Sequence, residues 1–357
     1  MLTLILSSVA FALPPIVESE EAIHNTPKTT SESPIINGTD AATDDYPMTG
    51  GTLLHGVLFD FPLDTFVCSS TLIAPDVVLL AAHCVDTDVI SFGIPMDDIK
   101  MWWTRQSDLT DWDGTQEGPE LPTDAIAVTQ WIPHEDFDIN SLQMGLAENY
   151  DIALLFLSEP VLDIKPAYLP TPEEDAAMME GDWVAVVGWG QQIATGQQEA
   201  PPPGSYAIKQ QGDSFIVEMA DFEFKVGEEV SDVRKCHGDS GGPSFWESSD
   251  GLRLVGVTSH AYDMSDCNET GGVDTRVQFY RNWIESQMIA GCESGVRVWC
   301  DEQGILEPNY FERIEAEELE EEKGLFACST GGLNWNLSPL MGLIGLLWVR
   351  RRDKNPA

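Results

Sequence analysis

Lys235-Cys236-His237-Gly238-Asp239-Ser240-Gly241-Gly242-Pro243 is the stretch that most narrows the fold and chemistry of this chain. It places one hydroxyl, that of Ser240, among glycines, and glycine lets a substrate carbonyl approach the backbone closely. A serine hydroxyl is a weak nucleophile at its own pKa, so it needs a histidine base and a group that orients this base. The stretch therefore predicts a nucleophilic serine and requires both partners elsewhere in the chain.

Two other segments supply these partners. His83 lies in Ala81-Ala82-His83-Cys84, and Asp151 begins the apolar run Asp151-Ile152-Ala153-Leu154-Leu155. A histidine beside an apolar strand is more often a packed core residue, but the cysteine context here favours a catalytic base. A carboxylate at the start of a buried strand is shielded from water, so it can fix the imidazole tautomer and stabilise the imidazolium.

These three segments, in the order His, Asp, Ser and with Gly188-Trp189-Gly190, resemble the trypsin/chymotrypsin-like serine proteases over residues 35–290. The resemblance implies an all-β fold of two six-stranded antiparallel β-barrels with a C-terminal helix, here followed by a short apolar C-terminal segment. It also implies a serine endopeptidase whose catalytic triad is His83, Asp151 and Ser240. The N–H groups of Gly238 and Ser240 would form the oxyanion hole, and no cofactor is implied.

Net charge excludes one class of partner. The chain has 357 residues, with 18 Lys plus Arg against 60 Asp plus Glu, for a net charge of −42. Nucleic-acid phosphates would be repelled, so we expect no nucleic acid and a protein or peptide substrate. The acidic charge either keeps the protein soluble or steers cationic substrates, and its spread over the whole chain favours the first.

Seven cysteines, several beside motif residues, favour disulfides formed outside the cytoplasm. The resemblance implies the pairs Cys68–Cys84 and Cys236–Cys267, and proximity in sequence allows Cys292–Cys300 as a third. Cys328 is then left alone. A metal site is the alternative, but the sequence contains no Cys-x-x-Cys and no His-Glu-x-x-His, so we expect no metal.

The N-terminal region predicts export and processing. Residues 1–12 form an apolar run ending in Ala10-Phe11-Ala12, typical of a signal peptide, although no Lys or Arg precedes it and a buried strand is the alternative. Residues 13–34 are rich in Pro, Ser, Thr and Glu, a composition that buries too little surface to fold alone and indicates a propeptide.

Ile35-Ile36-Asn37-Gly38-Thr39 is similar to the mature start of the family. There the freed amine of the first Ile pairs with the Asp before the serine, here Asp239, because a buried ammonium and carboxylate tolerate desolvation only together. Pro34 precedes Ile35, where the family has Lys or Arg, so a trypsin-like activator is not expected.

Hydrophobic patterns place the predicted elements. Val67–Leu80, broken at Ala74-Pro75-Asp76, predicts two strands around a turn. Further predicted elements are strands at Ile152–Leu157, Trp183–Val187 and Leu252–Val257, a loop at Gln197–Gly204, and an amphipathic helix through Val277, Tyr280, Ile284 and Met288.

Residues 94–124 contain Trp102, Trp103 and Trp112 among Asp, Gly, Pro and Thr, and they lengthen the interval between His83 and Asp151 beyond that usual in the family. We expect surface insertions here. Tryptophans in such loops either contact substrate or cover a small core of the loop itself, and the second is the more common.

The resemblance also implies a substrate pocket formed by Arg234, Lys235, Ser259, Ala261 and Gly272. Arg234, six residues before the serine, would lie at its base, where trypsin-like members carry Asp. A cation there repels Lys and Arg and attracts acidic side chains. Alternatively a nearby acid, with Asp274 the candidate, neutralises Arg234 and leaves a medium or apolar preference.

The C-terminal region changes composition after Gly291. Residues 291–332 contain a run of glutamates that indicates an acidic spacer, and residues 333–357 contain an uncharged stretch followed by Arg350-Arg351-Arg352. With Cys328 and the glycines after it, this tail resembles the C-terminal sorting segments of myxobacterial surface proteins, which implies a bacterial protein held at the cell surface. A permanent membrane anchor is the alternative, with the arginines on the cytoplasmic side.

The sequence thus predicts a secreted or surface-attached serine endopeptidase of extracytoplasmic location. Two alternative functions are compatible with the same fold. A non-catalytic binding protein would have lost a triad residue, and none is lost. An esterase could use the same triad on non-peptide acyl groups.

Overall fold

The computed structural model describes residues 35–90, 96–114, 118–193, 204–263, 267 and 270–316. These residues all belong to one compact unit. The predicted signal peptide, propeptide, apolar tail and Cys328 lie outside the described residues, as does nearly all of the predicted loop at Gln197–Gly204. No helix in the described ranges is long and apolar enough to cross a membrane.

Thirteen strands are present in the described part of the chain. In order they are β1 Thr39–Asp40, β2 Thr49–Leu58, β3 Phe61–Ala74, β4 Val77–Leu80, β5 Met96–Thr104, β6 Ile126–Pro133, β7 Ala153–Leu157, β8 Trp183–Gly188, β9 Gln210–Met219, β10 Glu223–Val226, β11 Pro243–Ser248, β12 Gly251–Ala261 and β13 Gly272–Arg276. The helices are α1 Thr87–Ile90, α2 Pro172–Ala177 and α3 Arg281–Ser294, and 3-10 turns cover Ala82–Cys84, Thr110–Trp112 and Ile139–Ser141.

The strands form two closed antiparallel barrels of six strands each, as the all-β prediction required. The first barrel has the order β2-β3-β4-β7-β6-β5. In the second, β8-β9-β10-β13-β12-β11 closes through the pairing of β8 with β9, and β1 adds to its edge at β9. All pairings within the barrels are antiparallel.

The first barrel follows the predicted pattern where its strands are most apolar. The turn at Ala74-Pro75-Asp76 separates β3 from β4, and all residues of β4 and β7 are buried. Their pairing, Leu80 opposite Ala153, brings the end of one strand beside the start of the other. This register places the residues just after β4 next to those just before β7.

Two of the three tryptophans predicted in surface insertions are instead part of the barrel. Trp102 and Trp103 lie in β5, and Trp103 is only 1% exposed. Trp112 is 3% exposed and packs with Leu53 and Trp189. Trp112 lies in the 3-10 turn between β5 and β6 and not in a barrel strand. The prediction of surface insertions was wrong for Trp102 and Trp103, because the surrounding polar residues concealed strand β5.

The chain after α3 differs from the predicted spacer. Helix α3 continues to Ser294 and ends at Gly295 in the left-handed conformation, with φ 74°. The C-terminal strap, residues 295–311, then packs on the barrel core through Ile305, Leu306 and Tyr310. Two adjacent apolar residues and a third four positions further on provide this anchor, which an overall excess of glutamate concealed. The described part of the glutamate run begins beyond it.

A buried ion pair fastens the strap. Arg297 Nη2 lies 2.8 Å from Asp76 Oδ1, and both side chains are 0% exposed. The second carboxylate oxygen of Asp76 accepts the N–H groups of Val298 and Trp299 at 2.9 and 2.8 Å. The turn between β3 and β4 therefore holds the strap by side-chain and backbone contacts together.

All three expected disulfides are present: Cys68–Cys84, Cys236–Cys267 and Cys292–Cys300. The first joins β3 to the turn that carries His83. The third closes the start of the strap onto α3. Three disulfides are consistent with an extracytoplasmic location, because reducing compartments keep cysteines as free thiols.

Candidate active site

His83 lies in the 3-10 turn Ala82–Cys84, directly after the buried strand β4. Its Nδ1 is 2.8 Å from Asp151 Oδ2, and its backbone N–H donates to Asp151 Oδ1 at 2.9 Å. Burial alone lowers the pKa of His83, but the charge and hydrogen bond of Asp151 outweigh it, so the pKa lies above its ordinary value. The imidazole is thus suited to hold a proton in this position.

Asp151 is 0% exposed and immediately precedes β7. In addition to the two donors of His83, its backbone N–H and its ring, Asp151 has a third donor. Ser259 Oγ donates to Asp151 Oδ2 at 2.5 Å. Burial raises the pKa of Asp151, but the charge of His83 and these hydrogen bonds more than offset that effect and hold the pKa below its usual range. Asp151 therefore remains ionised and fixes the orientation of the ring.

Ser240 lies between two glycines whose φ angles are positive, Gly238 at 94° and Gly241 at 76°. A Cβ at Gly238 would come within 2.9 Å of Gly190 Cα, so this position admits only glycine without a backbone shift. Ser240 and His83 line the same cavity. Between these two described side chains there is no hydrogen bond, and such contacts often tighten only when substrate binds.

The N–H groups predicted to form the oxyanion hole are available. The carbonyl of Gly238 accepts from Ser69 N at 3.2 Å and Ser69 Oγ at 2.9 Å, which fixes the Gly238–Asp239 peptide that lies between the two predicted donors. Within the described ranges, neither Gly238 N–H nor Ser240 N–H donates to another protein group. Two free donors beside a serine hydroxyl can stabilise an oxyanion.

Asp239, next to the serine, is not among the residues that line the cavity. Its carboxylate is 1% exposed and accepts from Gly190 N at 2.9 Å and Cys236 N at 2.8 Å. Burial raises the pKa of Asp239 to about 6 despite these bonds. Ile35 is buried as well, and the carbonyl of Ile36 accepts from Arg234 N at 3.0 Å. The predicted mature start thus runs beside the segment that leads to the serine.

The substrate cavity has a volume of about 320 Å³. Of the predicted pocket residues, four line it: Lys235, Ser259, Ala261 and Gly272. Arg234 does not. Its guanidinium donates instead to the carbonyls of Cys267 at 2.8 Å and Val230 at 3.2 Å. Backbone carbonyls therefore bind this guanidinium outside the cavity.

Lys235, and not Arg234, is the cation that lines the cavity. Its Nζ donates to both oxygens of Asp274, at 2.9 and 2.7 Å, and to Ser244 Oγ at 2.9 Å. Asp274 therefore neutralises Lys235 and not Arg234, which corrects the alternative drawn from the sequence. Burial lowers the pKa of Lys235, although Asp274 opposes this. A closed ion pair, not a free cation, lies at this end of the cavity.

Sequence reasoning missed one wall of the cavity. Three apolar side chains line it from the segment before Asp151: Ile139, Leu142 and Met144. It also missed His260, next to Ser259, which lines the same cavity. The sequence offered little signal for either, since this segment is polar overall and His260 stands in no motif.

Sulfur and imidazole atoms approach one another in two places, at Cys68, His83 and Cys84 and at Cys236, His237 and Cys267. All four cysteines are in disulfides. A disulfide sulfur is not a thiolate and does not supply the usual metal ligand. Neither group is therefore suited to hold a metal ion.

Comparison with known proteins agrees with this geometry. The trypsin family matches residues 35–284, and the chain belongs to that family. Phenoloxidase-activating factor 1 of Holotrichia diomphalia is 28% identical over 269 residues, which are 71% of this chain and 70% of that protein. The CLIP domain-containing serine protease HP8 of Bombyx mori is 29% identical over 250 residues, or 64% of each chain. A tryptase of Mus musculus is 28% identical over 261 residues, 66% of this chain and 86% of that protein.

Proposed function

We propose that this protein is a serine endopeptidase that hydrolyses peptide bonds through His83, Asp151 and Ser240. The observation that carries the proposal is the buried contact of 2.8 Å between His83 Nδ1 and Asp151 Oδ2 in a cavity that Ser240 also lines. Membership of a family of serine proteases supports the same reaction class.

In the proposed reaction, Ser240 Oγ attacks the peptide carbonyl carbon while His83 Nε2 takes the hydroxyl proton. Negative charge then develops on the carbonyl oxygen, where the N–H groups of Gly238 and Ser240 stabilise it by about 3–4 kcal/mol per donor. The C–N bond breaks as His83 returns the proton to the leaving amine. Water, deprotonated by His83, hydrolyses the acyl-enzyme and regenerates Ser240.

Labelling with a serine-reactive fluorophosphonate tests this assignment. We expect one adduct, on Ser240, in the mature protein, and a fall in peptide turnover of about four to six orders of magnitude for Ser240→Ala and for His83→Ala. A Ser240→Ala protein that still cleaves peptides at near-native rates would refute the triad. An unlabelled protein without turnover would favour a binding function, and labelling with ester turnover alone would favour an esterase.

For specificity, the neutral Lys235–Asp274 pair supports a medium-sized or apolar side chain before the cleaved bond. The three protons of Lys235 Nζ have three acceptors, so little attraction remains for an acidic side chain, and a basic one would meet the ammonium first. Profiling against a peptide library checks this proposal. Preferred cleavage after Lys or Arg would contradict it.

Activation by release of Ile35 is part of the proposal. The free amine would supply the buried carboxylate of Asp239 with the cation it needs. N-terminal sequencing of active material should begin at Ile35. A fully active form that retains Pro34 would contradict this, and the identity of the activating protease is a separate question for which Pro34 argues against trypsin-like cleavage.

We further propose that the protein is exported and stays at the cell surface through residues 333–357. The basis is the sequence of that tail, with its uncharged stretch and Arg350-Arg351-Arg352. The tail is either a sorting signal that is removed or a permanent membrane anchor. Mass spectrometry of surface-extracted protein distinguishes the two, because only the anchored protein keeps the three arginines. A soluble, secreted, full-length form would contradict both.

A further inference from the structure

A chain of hydrogen bonds links Asp151 to a second histidine in the cavity, His260. Ser259 Oγ donates to Asp151 Oδ2 at 2.5 Å, and the same hydroxyl oxygen is 3.0 Å from His260 Nδ1. The other ring nitrogen, His260 Nε2, is 3.2 Å from the carbonyl oxygen of Gly145. His260 thus joins β12 to the segment 139–149, which precedes Asp151.

Only one protonation state of His260 satisfies this chain. A hydroxyl has one proton, and that of Ser259 goes to Asp151 because a carboxylate only accepts. His260 Nδ1 must then donate to Ser259 Oγ, and Nε2 must donate to Gly145, whose carbonyl also only accepts. A neutral imidazole has one N–H, so both hydrogen bonds exist together only in the imidazolium.

The segment that His260 contacts is the apolar wall, residues 139–149. Its far end is fastened to the second barrel, since Glu223 accepts from Ala147 N at 2.8 Å and from Asn149 Nδ2 at 3.1 Å. Between this anchor and the side chains that line the cavity lies Gly145, held by His260 and by its own N–H, which donates to the carbonyl of Tyr262 at 2.8 Å. The bond from His260 therefore affects where the lining side chains lie.

Charged groups surround His260 on several elements. They are His83 in its 3-10 turn, Asp151 before β7, Lys235 before the serine, Asp263 after β12 and Asp274 on β13. The apolar wall itself carries Glu148, which is exposed. Glu223 on β10 holds the other end of the wall, and burial raises its pKa to about 8, so it titrates above His260.

Burial is the largest influence on His260 and lowers its pKa, with His83 acting in the same direction and the carboxylates of Asp151 and Asp274 opposing it. His260 therefore titrates at lower pH than His83, whose pKa is raised. The two ionisations can be followed separately.

We propose that His260 is a positioning residue for substrate binding, which as an imidazolium holds Gly145 and the apolar wall in place and as a neutral imidazole releases one of its two bonds. Peptides with apolar side chains should then bind more tightly as the pH falls through the titration of His260. Turnover follows His83 and changes in the opposite direction. The inference takes its ligand class from the proposed endopeptidase function.

Peptide binding to the mature Ser240→Ala protein, which does not cleave its ligand, tests this. With an acetylated tetrapeptide amide of Leu and Ala as probe, Kd should fall between about pH 8 and about pH 4, where histidines titrate. The expected fall is about threefold to tenfold, the range for one hydrogen bond. His260→Phe in the same protein should abolish this pH dependence, whereas the control His55→Gln, on β2 in the first barrel, should keep it.

Ring-nitrogen NMR of His260 provides a second measurement that needs no variant at this position. At low pH both nitrogens should be protonated, with slowly exchanging N–H protons, and the Gly145 amide resonance should shift with the same midpoint as Kd. A ring that stays neutral throughout, or an unchanged pH dependence of Kd in His260→Phe, would overturn the proposal. Failure of fluorophosphonate labelling would instead refute the proposed function, since neither binding nor NMR depends on Ser240.

Discussion

Two buried ion pairs in this protein have nearly the same geometry and different surroundings. Lys235–Asp274 and Arg297–Asp76 lie at 2.7 and 2.8 Å, and no side chain among the four is more than 2% exposed. The first pair lies beside the substrate cavity, which Lys235 lines. The second is enclosed between the β3–β4 turn and the C-terminal strap. Desolvation costs are therefore similar, but only the first pair can meet a substrate.

The two pairs also differ in what depends on them. Asp274 serves Lys235 alone among the hydrogen bonds described, whereas Asp76 also holds two backbone N–H groups of the strap. A buried ion pair adds little net stability compared with apolar residues of the same shape, but removal of one partner is costly. Burial and distance alone thus do not distinguish a specificity element from a structural one.

The largest effect should come from breaking the enclosed pair. Arg297→Met leaves Asp76 buried and ionised, so the free energy of unfolding should fall by about 3–5 kcal/mol. Peptide turnover at low temperature should stay near the wild-type rate because the strap does not line the cavity. Urea unfolding together with a kinetic assay checks both. A stable but inactive variant would show that the strap acts on the active site.

Asp239 sharpens the comparison because it is a buried carboxylate without a side-chain cation in ion-pair contact among the described residues. In the chain before Ile35 is released, burial raises the pKa of Asp239 from its ordinary value of 3.8 to about 6. The folded state then favours protonated Asp239, and this preference stabilises the protein by about 3 kcal/mol. The stabilisation is complete below about pH 4 and is lost as the pH rises through about 6.

The check is the difference in free energy of unfolding between the unprocessed wild type and Asp239→Asn, measured across this range. The advantage of the wild type should shrink as the pH rises. In mature protein, whose free amine would pair with Asp239, the trend should reverse. A difference that is flat with pH in both forms would contradict the buried-carboxylate interpretation.

Breaking the pair beside the cavity should reduce the free energy of unfolding by less than breaking the enclosed pair, and it should change substrate specificity. Lys235→Met leaves Asp274 next to water in the cavity, so the expected loss of stability is about 1–3 kcal/mol. The free carboxylate should also attract basic side chains and raise kcat/KM for cleavage after Lys or Arg by about tenfold to a hundredfold. Library profiling measures this. An unchanged profile would mean that substrate side chains do not reach Asp274.

Replacement of both partners of the pair beside the cavity should have the smallest effect, and the same replacement in the enclosed pair separates the two most clearly. Lys235→Met with Asp274→Leu should stay within about 1 kcal/mol of wild type, as buried pairs replaced by apolar residues often do. Arg297→Met with Asp76→Leu should remain destabilised, because Val298 and Trp299 lose an acceptor at about 1–3 kcal/mol for each N–H. Equal stability of the two double variants would show that the contacts of Asp76 to the strap contribute nothing.

Local patterns in the sequence were enough for the elements that carry the triad. The apolar runs of β4 and β7 predicted two buried strands, and each of these strands leads to or from a candidate residue, His83 or Asp151. The glycines around Ser240 predicted a tight backbone, which the positive φ angles of Gly238 and Gly241 match. Such features depend on periodicity and on single-residue conformational freedom, which are local properties.

Partner choice among buried charges could not be predicted in the same way. Arg234 and Lys235 are adjacent, and neighbouring residues of an extended chain point to opposite sides, so one of them meets the cavity and Asp274 while the other meets backbone carbonyls. A displacement of one residue reverses this assignment, and no local pattern determines it. The barrel register at β13, which positions Asp274, decides it.

The sequence by itself determined the triad candidates, because they stand in short motifs. Through the resemblance that these motifs carry, it also implied the two-barrel fold and the pairs Cys68–Cys84 and Cys236–Cys267, while Cys292–Cys300 followed from proximity in sequence. Tertiary structure alone decided that Lys235 and not Arg234 lines the cavity, that Arg297 fastens a strap to Asp76, and that His260 reaches Gly145. These contacts join residues 39, 221 and 115 positions apart. Their energies come from desolvated charges and hydrogen bonds, whose partners exist only once the barrels have closed.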